Sequence, residues 1–122
     1  MSTLLRLGPF GQAKATAALA ANVAVMWDAS NPGQIVVCTT GSIPIGYTQD
    51  AYAAGAMATF VRAMKGIELL ATGSGVAAGD LVKCTTVGAL APEAGVTTAT
   101  AATIGQAITA SDANNNFVVT PL

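Results

Sequence analysis

The sequence predicts an all-β fold: a single compact β-barrel or sandwich domain built from two similar half-repeats, with an N-terminal arm. Three observations carry this reading. Apolar runs of strand length follow one another, separated by turns rich in Gly, Pro and Asn. Landmarks of the first half recur in the second, in the same order. The 122 residues are enough for one domain and too few for two ordinary ones.

Residues 1–11 form the arm, MSTLLRLGPFG, which has no counterpart ahead of the second half. Three leucines and a phenylalanine make it too apolar for an idle tail. Such an arm is ordered either by packing on its own domain or by adding a strand to a neighbour's open edge. The second reading is favoured, so Leu4, Leu5, Arg6, Leu7 and Phe10 are the candidate partner contacts.

The β domain spans 12–122, with half-repeats at about 12–64 and 69–122. Ala13 to Ala24 is rich in Ala, which favours helix. It lacks a 3.6-residue stripe, and the alternation at Val23 and Val25 points to strand. The expected strands are 23–28, 34–39, 43–48, 57–64, 67–71, 81–85, 103–109 and 117–120. Asn31-Pro32-Gly33 reads as a tight turn, because Pro presets φ and Gly accepts a positive one. Ser111 to Asn116 reads as another, because Asn tolerates the left-handed region. Gly55 makes Ala51 to Ala58 a loop, or a single helical turn, between strands.

The repeat is read by laying Leu19-Ala20-Ala21-Asn22 on Val76-Ala77-Ala78-Gly79, and Val25 on Val82. Ile45-Gly46 then matches Ile104-Gly105, and Phe60-Val61 matches Phe117-Val118. Gly46 and Gly105 each follow an Ile inside a strand-like run. A Gly there marks a bulge or a close approach of another backbone, as a strongly curved small sheet needs.

Charged residues make up 9% of the chain and aromatics 5%, while apolar residues reach 52%. A typical soluble domain has about 25% charged residues. A surface so short of charge either is dressed in Thr, Ser, Asn and Gln or is covered by partners; assembly is the favoured reading. The net charge of −1 supplies no field for nucleic acid. The weakly polar run from Ala15 to Trp27 is shorter than the ~18–20 residues of a membrane span, and Asn22 interrupts it. No membrane partner is expected. Gly8, Pro9 and Gly11 break the opening stretch, so a cleaved signal is not expected either.

No cofactor or metal is expected. The chain contains no His, which removes Ser-His-Asp and Cys-His pairs. Asp28, Asp50, Glu68, Asp80, Glu93 and Asp112 fall mostly at strand ends and turns, where a solvated carboxylate is ordinary. Gly73-Ser74-Gly75 lacks the residues of a phosphate loop and reads as a plain loop. Cys38 and Cys84, 46 positions apart, form no zinc spacing. Two half-buried free thiols are the favoured reading, with a disulfide left open. Trp27 is assigned to the core, with an interface anchor as the other reading. An enzyme is not expected.

Val76-Ala77-Ala78-Gly79-Asp80-Leu81-Val82, then Ile104-Gly105-Gln106-Ala107, then the terminal run Phe117-Val118-Val119-Thr120, resembles the small capsid decoration (cement) proteins of tailed phages, in particular their Ala/Gly-rich group. The first ten residues fall outside that pattern. The resemblance implies a structural virion protein on the outer capsid surface. It further implies a homotrimer whose partner is the major capsid protein, clamping neighbouring capsid subunits together. The competing readings are another small β-rich virion subunit (tail tube, head completion or fibre-associated) and, further off, a carbohydrate-binding β module.

Overall fold

A computed structural model of the chain describes residues 9–93 and 95–122. The described residues form ten strands: β1 (Phe10–Ala15), β2 (Ala24–Trp27), β3 (Gln34–Val37), β4 (Gly46–Thr48), β5 (Met57–Arg62), β6 (Leu69–Thr72), β7 (Leu81–Cys84), β8 (Leu90–Pro92), β9 (Gly105–Ala107) and β10 (Asn116–Pro121). A short 3-10 turn at Thr86–Gly88 joins β7 to β8. The fold is all-β, as the alternating patterns predict. Two strands were not expected, β1 and β8. β1 opens at Phe10, so residues 10 and 11 belong to the barrel and not to an arm.

The first five strands close into a barrel in the order β1-β3-β2-β4-β5, and the last five form a sheet in the order β6-β10-β9-β7-β8. The two sheets share one wiring. β2 pairs with β3 and β4 as β7 pairs with β8 and β9. β5 lies between β4 and β1 as β10 lies between β9 and β6. The ladders also align residues. Val25 faces Gly46 where Val82 faces Gly105, the equivalence read from the sequence. Gly46 pairs with Arg62, and Gly105 with Pro121. Ala58 is therefore the counterpart of Phe117, and Phe60 that of Val119; the sequence match of Phe60 with Phe117 is two residues out of register.

One pairing separates the halves. β1 runs parallel to β3, with Lys14 opposite Gln34 and Ala15 opposite Ile35, and so closes the barrel. The counterpart of Ala15 is Gly73, where an added Cβ would collide with the Leu90 carbonyl of β8. The backbones approach there, yet β6 and β8 form no ladder among the described residues.

Two cores result. The barrel interior holds Ala13, Ala15, Leu19, Val23, Val25, Ile35, Ala58 and Phe60. The alternate positions Ala24, Cys38 and Tyr47 face outward from it and join Leu69, Val82, Cys84, Leu90, Phe117 and Val119 of the second sheet in the larger core. The strand period of two thus gives barrel residues two apolar faces, one for each core.

Tyr47 is completely buried in the second core, and its hydroxyl is the one buried side-chain polar atom among the described residues without a hydrogen-bond partner. Burial, and then the nearby Cys84 and Cys38 sulfurs, hold that phenol far above its ordinary pKa. An unpaired buried hydroxyl costs about 1–3 kcal/mol. Tyr47→Phe is therefore expected to match or exceed the natural protein in stability, by about 1 kcal/mol, in urea denaturation. A clear loss of stability would mean the hydroxyl is bonded.

Cys38 and Cys84 are free thiols, as favoured from the sequence, but are more deeply buried than the expected half. Both are fully buried, and their sulfurs touch at 3.0 Å across the two sheets.

Candidate interaction surface

The carboxylates hold turns. Asp28 accepts hydrogen bonds from the Thr16 hydroxyl at 2.8 Å, the Asn31 amide at 2.8 Å and the Ser30 N–H at 2.9 Å. The Asn31 bond, followed by those of Thr16 and Ser30, holds its carboxyl below the ordinary carboxylate pKa. Asp112 accepts from the N–H groups of Asn114 and Asn116, and Asp80 from that of Ala77. Glu93 binds the hydroxyls of Thr100 and Thr103. These bonds close local loops, as expected of Asp in turns. Among the described residues there is no pocket and no cluster of three metal-ligating side chains. No helix there is long and apolar enough to cross a membrane.

Exposed apolar side chains gather instead at the two ends of the barrel. At one end β1 begins with Phe10, which pairs with Val61 and is exposed. Its carbonyl accepts a hydrogen bond from Arg62 Nε–H at 3.1 Å. Past β5, the Ala63 N–H donates to the Ile45 carbonyl, so Met64 and Ile43 extend from the same rim. Cys38 follows β3 at the far end of the barrel, since β3 runs parallel to β1, and its carbonyl accepts from Gly88 N–H, which brings Val87 to that far end. Ile43 and Val87 are 60% and 66% exposed. Val87 also sits at φ +57°, a conformation a β-branched residue rarely adopts. Phe10, Ile43 and Met64, with Arg62 and Lys65 as exposed cations, thus share the rim at which β1 begins.

Of the contacts expected from the sequence, Phe10 lies on this rim, while Leu4, Leu5, Arg6 and Leu7 lie outside the described residues. Ile43 and Met64 were not foreseen there. Ile43 opens the expected strand 43–48, but Pro44 follows it and β4 begins only at Gly46, which leaves Ile43 outside the ladder.

Trp27 lies toward this same end, where β2 finishes beside the start of β4, and Met57 lies at the opposite end. Trp27, assigned to the core, is 52% exposed. It pairs with the inward-facing Ile35 but ends its strand, so the ring emerges from the barrel mouth without a layer above it. Met57 starts β5 opposite Lys14, at the other end from Trp27.

The whole architecture is found in a protein of known structure. The N base of head fiber gp8.5 of bacteriophage phi29 superposes with a TM-score of 0.75, covering 93% of this chain and 92% of that one at 14% identity. That likeness establishes the shared fold. No family model matches the sequence, and no curated protein does.

Proposed function

We propose that this chain is a structural, non-catalytic protein of a phage virion that binds the outer surface of the head. The observation that carries this is the near-complete fold match to a head-fiber base, covering 93% of this chain and 92% of that one. The 9% charge content and the apolar rim support it, because a surface of this kind is stabilised when partners cover it. In this reading the protein is a decoration protein. It assembles as a homotrimer, and each copy lays residues 1–8 and the Phe10 rim on the major capsid protein. Many weak contacts then add through multivalency, and the assembled shell is stabilised because the separated subunits are not bound.

A second reading, the base of a head fibre, is favoured by the same fold match and differs in what the bound protein carries. Sedimentation with expanded and unexpanded shells tests the shared claim. Saturable binding to shells supports it; no binding, with the protein forming rings or tubes alone, overturns it in favour of a tail or connector role. Removing residues 1–8 spares β1, whose first hydrogen bonds start at Pro9 and Phe10. The truncated protein is expected to keep its circular dichroism spectrum and lose shell binding. Normal occupancy by it would place the contact elsewhere.

A further inference from the structure

We propose that Cys38 and Cys84 are a disulfide-forming pair that covalently staples the barrel to the second sheet when the protein meets a disulfide oxidant. This goes beyond the virion reading and does not depend on it. Three observations carry it. The two sulfurs already touch at 3.0 Å and need to close by only about 1 Å to reach bonding distance. The backbones around them are tied reciprocally across the sheets: Gly88 N–H donates to the Cys38 carbonyl at 3.0 Å, and Gly41 N–H donates to the Cys84 carbonyl at 3.3 Å. An added Cβ at Gly88 would lie 2.6 Å from the Ala24 carbonyl, so that crossing is tight and the sulfurs have little room to part.

The chemistry is thiol–disulfide exchange. One cysteine, as thiolate, attacks a small oxidised disulfide such as oxidised glutathione. That breaks the oxidant's S–S bond, forms a mixed disulfide and releases one small thiol. The second cysteine gives up its proton and attacks the protein sulfur of the mixed disulfide. The Cys38–Cys84 bond forms, and the second small thiol leaves. The pair loses two electrons and two protons, which end on the two small thiols. The pair is arranged for this order. Cys84 S–H donates to the Cys38 sulfur, which favours the first thiolate at Cys38. The same bond, with burial, keeps Cys84 protonated until its partner has reacted.

Both thiols are fully buried, so the oxidant gains access during folding or local opening. The test therefore refolds the reduced full chain with and without oxidised glutathione. The expected product is monomeric, lighter by two hydrogen atoms, and free of reactive thiols in denaturant. The crosslink spans 46 positions and constrains the unfolded chain, so the melting temperature is expected to rise by about 10 °C and to fall back on reduction. Cys38→Ser, treated alike, is expected to gain at most a glutathione adduct and no such rise. Retention of both thiols after refolding in oxidant, disulfides between molecules, or an unchanged or lower melting temperature would each overturn the proposal.

Discussion

Phe117→Ala is expected to destabilise the protein by about 3–5 kcal/mol, the range for removing a buried aromatic. Phe117 lies on β10, 1% exposed, in the core shared by both sheets. Its cross-strand partner is Ala71, and its ring edge would be 3.0 Å from a Cβ added at Gly73. Neighbours this small have no reach with which to refill the space, so the cavity term stays near its maximum. For a chain of this size the loss lowers the melting temperature by roughly 10–20 °C, and it takes much of the ~5–15 kcal/mol that a domain has. Leu70→Ala serves as the control. It sits next to Ala71 on β6 with its side chain 40% exposed, and it is expected to cost far less. Chemical denaturation of both variants decides; similar costs would mean that the shared core does not dominate stability.

Gly46→Ala and Gly105→Ala are each expected to cost about 3 kcal/mol, the upper part of the range for overpacking. A Cβ at Gly46 would collide with the Val61 carbonyl oxygen, and one at Gly105 would lie 2.8 Å from that of Thr120. Backbone cannot swing aside as a side chain does. Both neighbours are held by their ladders, and the Ile45 and Ile104 carbonyls beside the glycines accept from Ala63 and Leu122. Gly33→Ala makes the contrast. It has φ +80° but open space around it, so only the left-handed strain of about 1–2 kcal/mol applies. Equal losses at all three positions in thermal denaturation would remove the close-approach explanation.

The same two glycines show how far the sequence reading reached. Gly after Ile in two strand-like runs identified the equivalent tight points, and the ladders place Gly46 and Gly105 in equivalent registers. Eight strands were legible from alternation or from short apolar runs. β1 was not, because its inward positions are Gly11, Ala13 and Ala15. Its alternation is real in burial and nearly silent in hydrophobicity. β8 is three residues long and ends in Pro, which suits an edge strand and leaves little pattern to read. The match of Phe60 with Phe117 failed because it aligned large side chains. The repeat conserves ladder positions, and the bulk in each core moves by one inward step along the strand.

The candidate surface was legible only in part. Phe10 was singled out as part of an apolar opening, but Ile43 and Met64 join it only through the ladders that bring the start of β4 and the end of β5 to the rim where β1 begins. Trp27 misled for the converse reason. An aromatic on a strand is normally covered, and only the tertiary position at the mouth of a barrel uncovers it.

By itself the sequence determined the fold class, most strands, the turns at Asn31-Pro32-Gly33 and Ser111 to Asn116, and the twofold internal repeat. These depend on local backbone preference and on a period of two, which are written residue by residue. Tertiary structure alone decided three things. It closed one half-repeat by a parallel β1–β3 pair and left the other unclosed. It turned alternate barrel residues into the floor of a second core. It also brought Cys38 to Cys84 from 46 positions away. Each of these is a contact between segments distant in the chain, set by which faces meet when two similar sheets pack, and no local pattern encodes that choice.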